Sequence, residues 1–312
     1  MIDYDHDISA IDADLIRHGM AAIHLVRAGD QAALVDCGTG HSLRNVQAAL
    51  AQKGIAPEAL RYIVLTHVHL DHASGAGAAM RAFPNAQLVV HPRGARHMID
   101  PSKLIAGATA VYGEQAMAEM YGDILPVDAA RVIETQDGFV LDFNGRRLEF
   151  VDTPGHAKHH HCIWDAQSKS WFTGDTFGLA YPECTVDGRA FVFPTTSPVQ
   201  FDPVAMRASV ERLLSRQPEA MFLTHYGKVS GVPVLGRALL SRIDAHVAIA
   251  KAAASAGGGR KQALLAALTA YLMDELRAHG SRLTHEQAVD VWGLDIELNA
   301  QGLEVWLDGA VA

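Results

Sequence analysis

Short apolar runs alternate with polar turns as far as about residue 230, a pattern typical of strands separated by loops and helices. Between them, apolar residues spaced three and four apart predict helices over 42–53, 76–83 and 203–216. This alternation predicts an α/β class, with sheets packed face to face and helices outside. The predicted strands are 21–26, 32–36, 62–65, 87–91, 132–133, 139–141, 147–151, 162–165, 170–173 and 220–224.

The pattern changes in the last part of the chain, where helical spacing dominates. Long helices are predicted over 233–255 and 260–279, with a flexible glycine-rich break at 256–259 between them. Thr284-His285-Glu286-Gln287 has the form of a capping box and opens another helix. We therefore predict a main α/β domain over 1–232 and a helical C-terminal region over 233–312, packed on it.

The segment 101–126 interrupts the alternation of strands and helices. Its signals are mixed, with a short helical pattern from Glu114 to Tyr121. We interpret it as a partly helical insertion that overhangs whatever site the strand ends form.

The densest group of chemically active side chains follows the predicted strand 62–65, in Thr66-His67-Val68-His69-Leu70-Asp71-His72. In an extended loop, residues two apart point the same way, so His67 and His69 can reach one metal ion together. Asp71 and His72 come where the loop must bend into a helix, and they can face a second ion. Imidazole and carboxylate suit zinc, and also iron, manganese or cobalt.

Three later strands end in the same manner. His156 follows the strand 147–151 in a tight turn, and Asp175 follows the strand 170–173. His225 follows the apolar strand 220–224. Four strands thus each deliver a candidate ligand, and strand ends are a common place for sites in α/β folds.

Composition and charge narrow the class of protein. The chain has 312 residues, of which 49% are hydrophobic and 20% charged, enough for a substantial core. The net charge of -9 counts against nucleic acid as the main partner. The cysteines Cys37, Cys162 and Cys184 are odd in number and widely spaced, so no disulfide framework is expected. Because we find neither a signal segment nor a long apolar stretch, we expect a soluble cytoplasmic protein.

These motifs resemble the metal-binding pattern of the metallo-β-lactamase superfamily. The resemblance lies in T-H-V-H-L-D-H, T-P-G-H, F-T-G-D and T-H-Y-G, in that order over about residues 20–230. It implies an αββα sandwich with the metals at one edge of the sheets. It also implies one metal on His67, His69 and His156, a second on Asp71, His72 and His225, and Asp175 bridging both.

Five residues are candidates for contact with the reacting groups. Asp71 is a candidate for taking a proton, although coordination of a metal reduces its basicity. Of His159 and His160, one is expected to hydrogen-bond a ligand or the substrate. Tyr181 and Tyr226 are candidates for donating to a developing oxyanion, and packed aromatic rings are the alternative for both.

The favoured function is a metal-dependent hydrolase that holds two divalent ions, zinc first and iron or manganese as alternatives. Two such ions lower the pKa of a shared water, and the hydroxide is expected to attack a small ester-like bond, a thioester or a lactone. The resemblance extends to glyoxalase II and lactonases, and leaves open iron-dependent oxygen chemistry or phosphodiester cleavage. We expect a small-molecule substrate and no nucleic-acid or membrane partner, with a homodimer left open.

Overall fold

Thirteen strands form two sheets in the computed structural model, which describes residues 1–196, 199–255 and 259–310. Every strand predicted from the apolar runs is present. The strands are β1 (Ile2–Tyr4), β2 (Ile8–Asp12), β3 (Ala22–Ala28), β4 (Gln31–Val35), β5 (Leu60–Val64), β6 (Gln87–Val90), β7 (Val132–Glu134), β8 (Val140–Phe143), β9 (Arg146–Asp152), β10 (His161–Asp165), β11 (Ser170–Gly174), β12 (Ala220–Leu223) and β13 (Gly227–Val229).

The helices include every predicted one, together with short helices that the pattern did not predict. An α/β sandwich with C-terminal helices is confirmed. The helices are α1 (Leu43–Gln52), α2 (Leu70–Ala73), α3 (Ala76–Ala82), α4 (Pro92–Ile99), α5 (Ser102–Tyr112), α6 (Glu114–Tyr121), α7 (Pro203–Ser215), α8 (Val232–Ala253), α9 (Arg260–His279) and α10 (His285–Ala310).

The elements that the sequence patterns did not predict are short, or they begin at a residue that is also typical of the end of a strand. Pro92 reads as the end of a strand, but it occupies the first turn of α4, where its missing N–H costs nothing. In β2, Ser9 and Ala10 weaken the apolar signal of a strand that is buried throughout. The segment 101–126 is more helical than predicted, because α5 precedes the predicted α6. Of the predicted break at 256–259, residues 256–258 lie outside the described residues.

Two compact units interleave along the chain. Unit 1 comprises 1–152, 159–174 and 222–227, and unit 2 comprises 153–158, 175–221 and 228 onward. The predicted boundary between 232 and 233 stays a prediction, because compactness alone does not define an independently folding domain.

The core of unit 1 lies between its two sheets. One sheet has the order β1-β2-β3-β4-β5-β6-β7, antiparallel as far as β4 and parallel from there to β7. The other has the order β13-β12-β11-β10-β9-β8. Apolar side chains from both sheets form one buried cluster, which fixes the positions of the loops that follow each strand: Ile8, Val26, Ala28, Ala33, Val35, Val64, Val89, Leu141, Phe143, Leu148, Phe150, Ile163, Phe172 and Phe222.

Unit 2 contains the four longest helices described, α7 to α10, and the loop that begins at residue 175. The ring of Phe193 lies 5.7 Å from that of Trp292 on α10. The guanidinium of Arg242 on α8 lies 4.1 Å from the ring centre of Phe191 and 3.0 Å from a Glu275 oxygen on α9. Both phenylalanines are fully buried, so this part of the loop is packed into the helices. None of the described helices is both long enough and apolar enough to cross a membrane.

One carboxylate joins α7 to the turn that carries His156. Asp202 caps α7 by accepting from the backbone N–H groups of Val204 and Ala205, at 3.0 Å each. Its own N–H donates to the carbonyl oxygen of Gly155 at 2.8 Å. The side chain thus completes the first turn of the helix beside the T-P-G-H turn.

We expect Asp202→Ala to lower the free energy of unfolding by about 1 kcal/mol, because two helix N–H groups lose their acceptor. Urea denaturation followed by circular dichroism measures the change. Asp202→Asn retains a capping oxygen and is expected to stay within a few tenths of a kcal/mol of the parent. Equal stability of Asp202→Ala and the parent would contradict the capping role.

Candidate metal centre

The loop after β5 places its four ligand-type residues as their spacing predicts. His67 and His69 lie in the extended part, and α2 begins at Leu70 with His69 as its N-cap. Asp71 and His72 therefore lie on the first turn of a helix, where the ring of His72 lies 4.1 Å from that of His67. His67 and His72 are fully buried, while His69 and Asp71 are partly exposed.

His67 and His69 face each other within unit 1. Nε2 of His67 lies 3.0 Å from Nδ1 of His69, and Nδ1 of His67 lies 3.2 Å from the Thr66 hydroxyl. That hydroxyl donates its single proton to the Asp36 carboxylate, so it accepts from His67 Nδ1–H. This tautomer directs the lone pair of His67 Nε2 toward His69.

Asp71, His72 and His225 form a second group, also within unit 1. Oδ2 of Asp71 lies 3.4 Å from Nε2 of His72 and 3.2 Å from Nε2 of His225. Although burial alone would raise it, the pKa of Asp71 lies well below its usual range, because His72 and His225 attract its carboxylate when their rings are protonated. One ligand atom from each residue lies within 4.8 Å of the others, a spacing that suits a shared cation.

The other ring nitrogens of this group decide which atoms are available as ligands. Nδ1 of His72 donates to Oδ2 of Asp36 at 2.8 Å, and Nδ1 of His225 donates to the carbonyl oxygen of Met20 at 2.7 Å. In each neutral ring the proton is therefore on Nδ1, and Nε2 presents a lone pair to Asp71. Two nitrogen lone pairs and a carboxylate oxygen converge, and a divalent cation satisfies all three.

His156 and Asp175 form a pair within unit 2. Nε2 of His156 lies 3.3 Å from Oδ2 of Asp175, and both side chains are buried. The turn before His156 requires glycine, because Gly155 has φ +132° and a Cβ there would lie 2.3 Å from the backbone of Met206. The glycine of T-P-G-H is thus explained by close packing against α7.

Asp36 is a buried residue that contacts the candidate ligands and that the sequence patterns missed. Its Oδ1 accepts from the N–H of Thr66 at 2.8 Å, and its Oδ2 accepts from the hydroxyl of Thr224 at 2.7 Å. The Asp36 carboxylate also contacts His72 and the hydroxyl of Thr66. It therefore holds Thr66 and Thr224, the residues directly before His67 and His225. The signal was present, since Asp36 directly follows β4 and is an acidic residue at a strand end.

His159 and His160 both lie beside His67 in unit 1. The His160 ring stacks on that of His67 at 4.8 Å and is buried. His159 lies 5.5 Å from His69, edge to face, and its Nδ1 accepts weakly from the N–H of Val68 at 3.4 Å. Burial and the neighbouring His69 lower the pKa of His159 to about 3, so its ring is neutral near pH 7.

The two candidate tyrosines have different surroundings. Tyr181 in unit 2 is fully buried, and its ring packs edge to face against Phe193 at 6.1 Å. Tyr226 in unit 1 donates its hydroxyl proton to Oδ2 of Asp12 at 3.2 Å. Burial and Asp12 together raise the pKa of Tyr226. Contact of either hydroxyl with a substrate stays a prediction.

A family model described as the metallo-beta-lactamase superfamily matches residues 16–226 of this chain. A metallo-beta-lactamase fold-containing protein of Sulfurisphaera tokodaii is 30% identical over 175 residues, which are 55% of this chain and 62% of that protein. The crystal structure of an archaeal superfamily protein from Sulfolobus tokodaii superposes with a TM-score of 0.65. That superposition covers 96% of this chain and 99% of the other, with 21% identity.

Two further relatives are thioesterases by name. An atrochrysone carboxyl ACP thioesterase of Aspergillus fumigatus is 28% identical over 154 residues, covering 49% of this chain and 38% of that protein. An acyl-coenzyme A thioesterase of Bos taurus is 28% identical over 169 residues, covering 50% and 57%. The chain therefore spans less than two thirds of the length of the curated relatives described here.

Proposed function

Because the chain belongs to the metallo-beta-lactamase superfamily, we propose that it is a metal-dependent hydrolase with two divalent ions, acting on a thioester. The family, the thioesterase relatives and the His and Asp groups support metal-dependent hydrolysis. The observation that carries the proposal of a second ion is the convergence of Asp71, His72 and His225, with both Nδ1 protons held elsewhere.

His67, His69 and His156 would hold the first ion, and Asp71, His72 and His225 would hold the second. Asp175 is proposed to serve both. Imidazole nitrogens and a carboxylate, the groups that His67, His69, His156 and Asp175 offer, are donor types that suit a divalent cation. Zinc is the proposed metal, because imidazole and carboxylate ligands suit it and it requires no redox partner. When bound, such ions act as Lewis acids and activate a water.

Residues of the protein orient the ligand rings, fix the position of their protons and balance the charge of the ions. Asp36 and the Met20 carbonyl keep the ligand rings in the tautomer that presents Nε2. His160 packs on His67 and restricts rotation of that ring. Asp71 carries a low pKa and stays ionised at neutral pH, which balances part of the charge of the ions.

We propose that His159 hydrogen-bonds the substrate carbonyl. Acceptance from Val68 N–H leaves the proton of the neutral ring on Nε2, which can donate it to a substrate. The ring of His159 lies edge to face against that of His69. Its Nε2–H is therefore well placed to stabilise negative charge that develops on the carbonyl oxygen of a substrate.

His159→Phe is expected to lower kcat/KM for a thioester about tenfold, the effect of losing one hydrogen bond of ~1.4 kcal/mol. His159→Gln retains an N–H near the position of Nε2 and is expected to recover most of the loss. Steady-state kinetics at full metal occupancy measures both. If the glutamine and phenylalanine variants are equally impaired, His159 acts by packing alone.

The proposed function is tested by metal quantification combined with a substrate panel. Protein purified without added metal is analysed for zinc, iron and manganese, and is then assayed on an acyl-coenzyme A, a lactone and a phosphodiester. We expect two divalent ions per chain and fastest turnover of the thioester. One iron per chain with oxygen consumption would overturn the proposal in favour of oxygen chemistry, and fastest cleavage of the lactone would change the substrate class.

A further inference from the structure

The segment between β2 and β3, residues 13–21, holds the ring of His225. The carbonyl oxygen of Met20 accepts from Nδ1 of His225 at 2.7 Å, and Met20 is buried. Because this contact decides both the tautomer and the rotation of the ring, the position of Met20 determines where His225 Nε2 points.

This segment has an unusual backbone. Asp14, Ile16 and Gly19 adopt positive φ angles of +50°, +56° and +74°. A left-handed conformation is unfavourable for a β-branched residue such as Ile16, and its side chain is 58% exposed. Apolar packing of Ile16 therefore does not stabilise its conformation, and polar contacts stabilise the segment together with its buried residues Leu15 and Met20.

Asp12, the last residue of β2, supplies those contacts. Its Oδ1 accepts from the N–H of Asp14 at 2.8 Å. Its Oδ2 accepts from the N–H of Gly19 at 2.8 Å and lies 3.0 Å from Nδ1 of His18. Asp12 itself is only 7% exposed, so these are protected, charge-assisted contacts.

The same carboxylate oxygen also reaches the other side of His225. It accepts from the hydroxyl of Tyr226 at 3.2 Å. Gly19 directly precedes Met20, and Tyr226 directly follows His225. One oxygen of Asp12 therefore joins the segment that orients the ring to the segment that carries it.

We propose that Asp12 is a positioning residue for His225, and through it for the second ion of the metal centre. This inference rests on the proposed function, because it requires that His225 binds a metal. Asp12 acts through Met20 and Tyr226 and does not itself bind the ion at this centre.

The test is the affinity of the second metal in Asp12→Asn. The amide can still accept at one position, but its NH2 group opposes the N–H of Gly19 where Oδ2 accepted it. We expect second-site zinc affinity to fall about 10- to 100-fold, with first-site affinity unchanged. Equilibrium dialysis against zinc gives both constants, and the visible spectrum of the cobalt-substituted protein reports the geometry of each site.

Asp14→Asn is the matched control. It makes the same change of charge on the same segment, and asparagine tolerates the positive φ. Asp14 also belongs, with Asp12 and His18, to a separate group of ligand-type atoms within 4.8 Å of one another, two of them on exposed side chains. If second-site zinc affinity falls in Asp12→Asn but not in Asp14→Asn, the fall therefore does not come from that separate group.

Tyr226→Phe provides a second variant if Asp12→Asn folds poorly. It removes one of the contacts to Asp12, so second-site affinity should fall in the same direction but by less. Unchanged second-site affinity in both variants would overturn the positioning role. Failure of the unmodified protein to bind two ions would instead defeat the proposed function, so the two failures are distinguishable.

Discussion

Replacing Asp175 with asparagine is expected to abolish hydrolysis, with kcat/KM reduced at least about 10³-fold, or ~4 kcal/mol of transition-state stabilisation. The physical reason is charge. Asp175 is the one carboxylate assigned to both ions, and an asparagine amide is a neutral and weaker ligand. It also places an N–H₂ group or a neutral oxygen against His156 Nε2, where the carboxylate oxygen now lies at 3.3 Å.

The measurement combines kinetics on the best substrate of the panel with metal analysis of the same preparation. We expect fewer than two ions per chain in Asp175→Asn, with an unchanged far-ultraviolet circular dichroism spectrum. Asp187→Asn is the matched control, because Asp187 is an exposed aspartate in the same unit. Retention of full activity by a folded Asp175→Asn would remove the bridging role and, with it, the proposed arrangement of ions.

Asp36→Asn is expected to have the second-largest effect, on metal binding and stability together. The carboxylate accepts from Thr66, His72 and Thr224, and every donor is buried. An asparagine NH2 would oppose at least one of these donors, and loss of a buried charge-assisted hydrogen bond costs about 1.5–3 kcal/mol. Because His72 then loses its fixed tautomer, metal affinity should fall about 10- to 100-fold.

Thermal unfolding of the metal-free and metal-loaded forms separates the two effects of Asp36→Asn. A change in stability appears in the metal-free protein, and a change in affinity appears as a smaller rise in Tm on addition of zinc. Asp30→Asn, at an exposed turn close by in sequence, is the control. If zinc affinity is unchanged while the stability of the metal-free protein falls, Asp36 stabilises the fold only and does not orient the ligand rings.

The strand ends show why these residues stand out in the sequence as candidate ligands. His67, His156, Asp175 and His225 each follow a strand whose apolar run is visible in the sequence. β9 and β11 both run antiparallel to β10, so the segments that follow them begin at the same edge of one sheet, whereas His67 follows a strand of the other sheet. Local pattern and ligand chemistry were therefore sufficient to select these residues.

Other parts of the candidate centre depend on contacts between residues far apart in the sequence, which local sequence patterns do not predict. Asp36 is separated by 30 residues from Thr66 and by 188 from Thr224, and only the packed sheets bring the three together. Asp12 and Tyr226 lie 214 residues apart, and neither has a motif that predicts the contact.

The sequence by itself determined the α/β class, the order of the strands along the chain and the identity of the candidate ligands, because periodicity and donor chemistry are local properties. Only the tertiary structure decided which nitrogen of His72 and His225 carries the proton, and which residues hold those rings. The partners responsible, Asp36 and the Met20 carbonyl, come from distant segments. Their positions follow from how the strands and loops pack, which no short stretch of sequence specifies.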